Sequence, residues 1–360
     1  VLAPVVMLFH DMLTAGSAGL DTARSMLRDQ PLQQVILRTL AVALLACGLA
    51  SVLAIPAAFL AVRSSAPVRI LVQIIGFLPL TMPPFVSAAV LQHFVGTAEN
   101  VGGIPLLTGL NLQGNNIALI LVFALHYLPF ILFSLIAGLT DIDRSLAESA
   151  RNLGAGRLFA WRRITLPLAT PAYVVGAALV ILRILEDVGT PLMFGIDGML
   201  APQIVMRFGV AGLSDPFMNI SALVLLGASV TVAALAWSAL AAPPGPSGLK
   251  PCTGSPARVG LILGLPLILV LGMLALAPHV WLLLMSFGRD WSTGLLPGHY
   301  TTDGLRQILT EALPLLTDTL SYAAGAGLLT LLIGGAFAAS TSRCGPITRV
   351  VRFASNTLFA

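Results

Sequence analysis

The stretch Ile117-Ala-Leu-Ile-Leu-Val-Phe-Ala-Leu-His126-Tyr-Leu-Pro129-Phe-Ile-Leu-Phe-Ser-Leu-Ile-Ala-Gly138 contains no Asp, Glu, Lys or Arg. A helix rises 1.5 Å per residue and a hydrocarbon core is about 30 Å thick, so a run of this length and composition spans a bilayer. Lipid offers no partner to a free amide, which makes a helix the form such a run takes. The same test is met at approximately 33–62, 69–95, 168–196, 217–241, 259–287 and 314–341. A remnant span ends near Phe9, and another begins near Ile347. The expected fold is all-α, a polytopic membrane helix bundle.

Composition agrees. Hydrophobic residues make up 57% and charged residues 9%, against roughly 25% charged in a soluble domain, and the mean hydropathy is +0.94. The net charge of +4 could suggest nucleic acid. The basic residues, however, sit in short loops between apolar spans and are not interleaved with aromatics, which is a pattern of membrane orientation. One set of alternate loops collects Arg63, Arg69, Arg144, Arg151, Arg157, Arg162, Arg163, Lys250, Arg258, Arg343, Arg349 and Arg352. The other holds Arg24, Arg28, Arg38, Arg207, Arg289 and Arg306, with none in 96–116. The first set is therefore cytoplasmic. Cys47 lies in a span and Cys252 and Cys344 lie in cytoplasmic loops, so no disulfide framework is expected. The apolar opening at Val1 reads as a truncated first helix.

Between 138 and 168 the chain turns polar: Asp141, Asp143, Arg144, Glu148, Arg151, Arg157, Arg162 and Arg163. Asp141 or Asp143 can cap a short helix, and Ser145-x-x-Glu148 has the spacing of a capping box. Leu146, Ala150 and Leu153 then share one face, with Glu148, Arg151 and Asn152 opposite. Gly154 can end this helix in the left-handed conformation. A second short helix from Arg157 to Arg163 would carry Leu158, Phe159 and Trp161, and Pro167 and Pro171 would open the next span.

In this segment Glu148-Ser149-Ala150, Gly154-Ala155, Ile164-x-Leu166-Pro167 and the intervening Trp161 resemble the cytoplasmic coupling loop of ABC-importer permeases. That family pattern is E-A-A-x-x-x-G, nine residues, then I-x-L-P; Ser149 departs from it, small for small. The resemblance implies a membrane component with no catalytic chemistry, coupled through this loop to separate ABC ATPase subunits and fed by a periplasmic substrate-binding protein. It also implies a multi-pass protein of the bacterial inner (plasma) membrane with the type I importer permease fold. No G-x-x-x-x-G-K-[ST] phosphate loop occurs in the chain, so ATP hydrolysis is expected on another polypeptide.

Past the Pro/Gly/Ser-rich linker 242–257 the sequence starts again. Leu2-Ala-Pro4 recurs as Leu276-Ala-Pro278 and Thr39-Leu40 as Thr319-Leu320. Arg63-Ser-Ser-Ala-Pro67-Val-Arg69 recurs as Arg343-Cys-Gly-Pro346-Ile-Thr-Arg349. We expect residues 1–241 to form a first permease half, about six helices with the coupling loop at 141–167. Residues 258–360 would open a second half, whose own coupling loop would lie beyond Ala360. Two fused halves resemble the ferric-iron permease group, whose relatives include carriers of 2-aminoethylphosphonate and thiamine, and favour ferric iron as cargo.

Arg183, Glu186 and Asp187 share a helix face within a span, where ionisable groups are costly unless paired or facing a wet cavity. With His126 they are the candidate lining of the path, near a kink at Gly189 and Pro191; a self-neutralising pair at the outer interface is the alternative. His93, His279 and His299 lack ligand spacing, so neither a metal site nor a cofactor is expected. An ion-gradient-driven secondary transporter or channel could share the duplication and broken helices without needing the coupling register. An intramembrane enzyme would need a paired nucleophile and base, or H-E-x-x-H, at membrane depth, and the chain has neither.

Overall fold

The computed structural model describes residues 24–95, 112–211, 215–240, 258–289 and 297–341. The N-terminal remnant span, the linker 242–257 and the span beginning near Ile347 lie outside these residues. The described chain is almost wholly helical: α1 Gln30–Arg63, α2 Ala66–Phe77, α3 Pro84–Val95, α4 Asn116–Asp141, α5 Arg144–Asn152, α6 Arg157–Ala160, α7 Leu166–Glu186, α8 Gly189–Met193, α9 Leu200–Ala211, α10 Pro216–Leu240 and α11 Arg258–Phe287. A two-residue pairing of β1 (Gly288–Arg289) with β2 (His299–Tyr300) precedes α12 Asp303–Glu311 and α13 Leu313–Thr341. Six helices are long and apolar enough to cross a membrane, or seven if one bent pair counts as a span, among the described residues.

Two of the expected spans are corrected. The run 69–95 is two helices bent by 87°, with a 3-10 turn at Leu78–Thr81 between them. Pro79, Pro83 and Pro84 remove three amide donors within six residues, which a straight helix does not absorb. The run 168–196 stops at Glu186, because Asp187 leaves the helix with ψ 120°.

The residues fall into two compact units, one reaching Val280 and the other from Trp281 onward. In the first unit α4 packs against both α1 and α7. The seam on α1 is built from small residues at helical spacing: Ala43, Ala46, Ala50, Ala54, Ala57 and Ala61 are all buried. Lipid tails are as apolar as side chains, so helices gain by approaching closely, and small residues permit that approach. At Gly176 of α7 an added Cβ would lie 2.8 Å from both the Ile131 Cα and the Phe130 carbonyl oxygen of α4. Only glycine fits that crossing. Leu267, Ile268 and Leu271 of α11 join this unit's core. In the second unit α13 carries Asp318 as its one charged residue, is otherwise apolar enough to cross a membrane, and has no buried residue in its most apolar stretch.

Polar groups tie the ends of these helices together. Asn115 caps α4 by accepting from the Ile117 and Ala118 amides. The Arg38 guanidinium donates twice to Asn116 Oδ1, at 3.1 and 2.8 Å. Thr39, fully buried in α1, donates to the Val35 carbonyl and accepts from the Leu200 amide at the start of α9.

Candidate functional site

The polar segment after α4 folds into an elbow. Asp143 is the residue that caps α5, its carboxylate accepting from the Ser145 amide at 2.8 Å. Ser145 therefore lies inside the first turn and is not the cap, so its spacing to Glu148 is not used as a capping box. At the other end Gly154 adopts φ 90°. Its amide donates to the Arg151 carbonyl and the Ala155 amide to the Ala150 carbonyl, both at 3.0 Å. This pair of bonds is a Schellman closure, which needs a left-handed residue and so a glycine. Leu153, expected to share a face with Leu146 and Ala150, caps the end of the helix and is 90% exposed. Leu158 and Phe159, on the far side of the glycine, are also exposed. Glu148 and Ser149 are exposed, Ala150 and Ala155 half-buried.

The second limb is not a separate helix. Residues 158–186 run as one helix, widened at Trp161–Thr165 into a π turn where the Leu166 amide reaches the Trp161 carbonyl. In a regular helix the ring of Pro167 collides with the carbonyl four residues back, that of Arg163. Widening the preceding turn relieves the clash, so Pro167 is accommodated within a continuous helix and does not open a new one. The sequence carried a signal for this in a proline following a run of helix formers. Half-buried Trp161 packs on Phe59 of α1, ring centroids 6.0 Å apart, and Arg63 lies over the other ring of that pair at 5.7 Å. The elbow is thereby fixed to the end of α1, and Ile164 and Leu166-Pro167 sit at its junction with α7.

The membrane-depth candidates fall into two settings. Arg183 donates to Glu186 at 2.5 Å, and both side chains are more than half exposed. Asp187 is bonded elsewhere: it accepts from the Thr190 amide at 2.8 Å, the Thr190 hydroxyl at 3.0 Å and the Tyr127 hydroxyl at 3.1 Å. It thus starts α8 and holds it to α4, while Gln92 of α3 donates to the Met193 carbonyl at the other end of α8. His126 is buried, edge-on to Tyr127 with centroids 4.9 Å apart, and its Nδ1 has no partner. Tyr127 thus touches both Asp187 and His126, while Arg183 pairs with Glu186. No group of three or more metal-ligating side chains occurs among the described residues.

Comparison with known proteins places this geometry. Residues 50–242, more than half the chain and including the whole elbow, match the family model described as binding-protein-dependent transport system inner membrane component. A probable molybdenum ABC transporter permease protein of Haloferax volcanii is 29% identical over 235 residues, covering 64% of this chain and 85% of that protein. The molybdenum transport system permease protein ModB of Escherichia coli is 30% identical over 170 residues, 47% of this chain and 74% of its own. The spermidine/putrescine transport system permease protein PotB of Escherichia coli is 28% identical over 154 residues, 41% and 56% respectively. None of these three names ferric iron or 2-aminoethylphosphonate, so the cargo expected from the fused-half resemblance is not carried by them. Membership settles the class: a multi-pass inner-membrane subunit that is not itself an enzyme, with an ABC ATPase and a substrate-binding protein as partners. The chain belongs to the family of inner-membrane components of binding-protein-dependent transport systems, as an ABC importer permease.

Proposed function

We propose that this permease carries a small oxyanion of the molybdate kind and that residues 141–167 are the segment on which its ATPase docks. The observation that carries the coupling reading is the Schellman-closed elbow, which presents Leu153, Leu158 and Phe159 to solvent on either side of Gly154. Exposed apolar side chains on a rigid helical corner suit insertion into a groove on a partner. ATP-driven closure of the ATPases would push on this corner. Because the second limb is continuous with α7, the push would pass to a membrane helix without an intervening hinge, and the bundle would alternate between inward- and outward-facing states. Glu148 would meet the ATPase at the exposed start of the corner, and Ile164, Leu166 and Pro167 would transmit its motion.

The names of the two molybdenum permeases support the cargo. Deleting the gene should abolish high-affinity uptake of labelled molybdate, with tungstate competing. Retained molybdate uptake with loss of ferric iron or spermidine uptake would overturn the assignment.

Residues 258–360 are proposed as the opening of a second, homologous half. At an offset of 280, α13 takes the place of α1, and Thr319 donates to the Leu315 carbonyl as Thr39 does to Val35.

A further inference from the structure

We propose that helix α12 lies along the outer surface of the membrane with its apolar side in the lipid. The sequence divides cleanly around this helix: Leu305, Ile308 and Leu309 share one side, and Arg306, Gln307, Thr310 and Glu311 share the other. None of its residues is buried, and Leu305, Ile308 and Leu309 are 45%, 57% and 56% exposed. The polar side makes its own bonds. Gln307 donates to Glu311 at 3.0 Å, and Arg289 of β1 donates to Asp303 at 3.2 Å. Arg289 and Arg306 belong to the loops opposite the cytoplasmic set, which puts α12 on the outer side.

Continuity with a span selects lipid as the occupant. Through Ala312 alone α12 leads into α13, which is apolar enough to cross a membrane. Asp318, the one charged residue of α13, is costly within hydrocarbon. The edge of the hydrocarbon therefore lies near it, roughly 8 Å along the helix from Leu313. From there to Thr341 the helix rises roughly 35 Å, enough to cross a core of about 30 Å. This leaves α12 at the level of the headgroups, where a helix with one apolar and one polar side is stable lying flat. Pro314 has no amide to give the Thr310 carbonyl, which frees α12 to turn off the axis of α13. The same order of residues stands ahead of α1: Asp21, Arg24, Leu27 and Asp29 match Asp303, Arg306, Leu309 and Glu311. Leu27 is likewise exposed, at 44%. What the two copies share is their place ahead of a span. A soluble protein that docks and departs would return these side chains to water in every cycle, whereas a bilayer crossed by α13 is always present. The assignment rests on the membrane fold alone and not on the cargo or the coupling loop.

The test uses the permease assembled with its ATPase in nanodiscs of phosphatidylethanolamine and phosphatidylglycerol. In a background with Cys47, Cys252 and Cys344 replaced, nitroxide labels are attached singly through Leu305→Cys, Gln307→Cys, Ile308→Cys and Thr310→Cys. Spin relaxation is then measured with oxygen, which concentrates in lipid, and with a neutral nickel chelate, which stays in water. The ratio of oxygen to nickel relaxation should be several-fold higher at 305 and 308 than at 307 and 310. Should the Ile308→Cys variant fail to assemble, Leu305→Cys carries the same expectation for that side. Strong nickel relaxation on both sides means that the helix stands in water, and it overturns the proposal. Weak relaxation by both reagents at 305 and 308 means that protein covers the apolar side, and it overturns the proposal equally.

Discussion

Gly154 shows how a single residue type becomes a mechanical part. Its φ of 90° excludes side chains on backbone grounds alone, because nothing lies within 4 Å of where a Cβ would stand. A substitution there should therefore cost conformational strain without a packing clash, about 1–2 kcal/mol for an ordinary residue and more for a β-branched one. Gly154→Val should lower uptake and transport-stimulated ATP hydrolysis together while insertion is retained, and Gly154→Asn should be milder, since Asn tolerates the left-handed region. Normal uptake by the Val variant would remove the elbow from the coupling path. Arg183 poses a different question. Its partner is Glu186 and not Asp187, and within a span a carboxylate left without its partner is costly. Arg183→Gln should therefore lower thermal stability, and Arg183→Gln with Glu186→Gln should recover part of the loss. If transport falls in the single variant and returns in Arg183→Gln with Glu186→Gln, the pair is structural; if it stays low, Arg183 lines the path.

At the scale of elements, the sequence displayed those features that depend on local periodicity and hid those that depend on neighbours. The spans, the left-handed stop at Gly154 and the cap at Asp143 follow from hydrophobic runs and from short-range hydrogen-bonding chemistry. The exposure of Leu153 did not, because periodicity says which residues share a face and not which way that face turns. The choice of Glu186 as the partner of Arg183, and the place of Tyr127 against both Asp187 and His126, were equally invisible, since spacing gives a shared face but not what packs upon it. The crossing of α4 and α7 is also a tertiary fact. Gly176→Leu would drive a side chain into the Ile131 backbone, and overpacking of this kind costs typically 1–3 kcal/mol or more where backbone must move. A lowered midpoint of thermal unfolding in detergent would register it, and an unchanged midpoint would mean α7 is free to slide. The entry to α10 has a pH signature. Partial burial pushes the Asp215 carboxyl up, but the Arg207 hydrogen bond and charge and the Phe217 and Met218 amides prevail and hold it below the ordinary carboxylate range. A group depressed in the folded state stabilises above its unfolded pKa, about 3.9 for Asp, and that contribution is lost as pH falls through the folded value. The stability difference between wild type and Asp215→Asn should accordingly be full near neutrality and shrink below about pH 4.

For the molecule as a whole the decisive question is which way the bundle faces. The elbow can receive an ATPase only if 141–167 is cytoplasmic. The Lys/Arg count says so without reference to the motif, because the basic side collects the loops that include Arg151, Arg162 and Arg163. Helix α4, Asn116–Asp141, is one unbroken run long enough to span the membrane, so its two ends must lie on opposite faces. Gln113 and Arg162 are both exposed and lie beyond those ends, which makes them a matched pair of reporters. In a background with Cys47, Cys252 and Cys344 replaced, a cysteine at 113 should react with an impermeant maleimide added to intact cells, and one at 162 should react only after the membrane is opened. Because the three native cysteines are the chain's only ones, any labelling reports the introduced site alone. The reverse pattern would place the elbow outside, where no ATP is available, and would end the coupling assignment however well the elbow is formed. Equal labelling at both sites from outside would mean α4 does not span, and the helix count would fall with it.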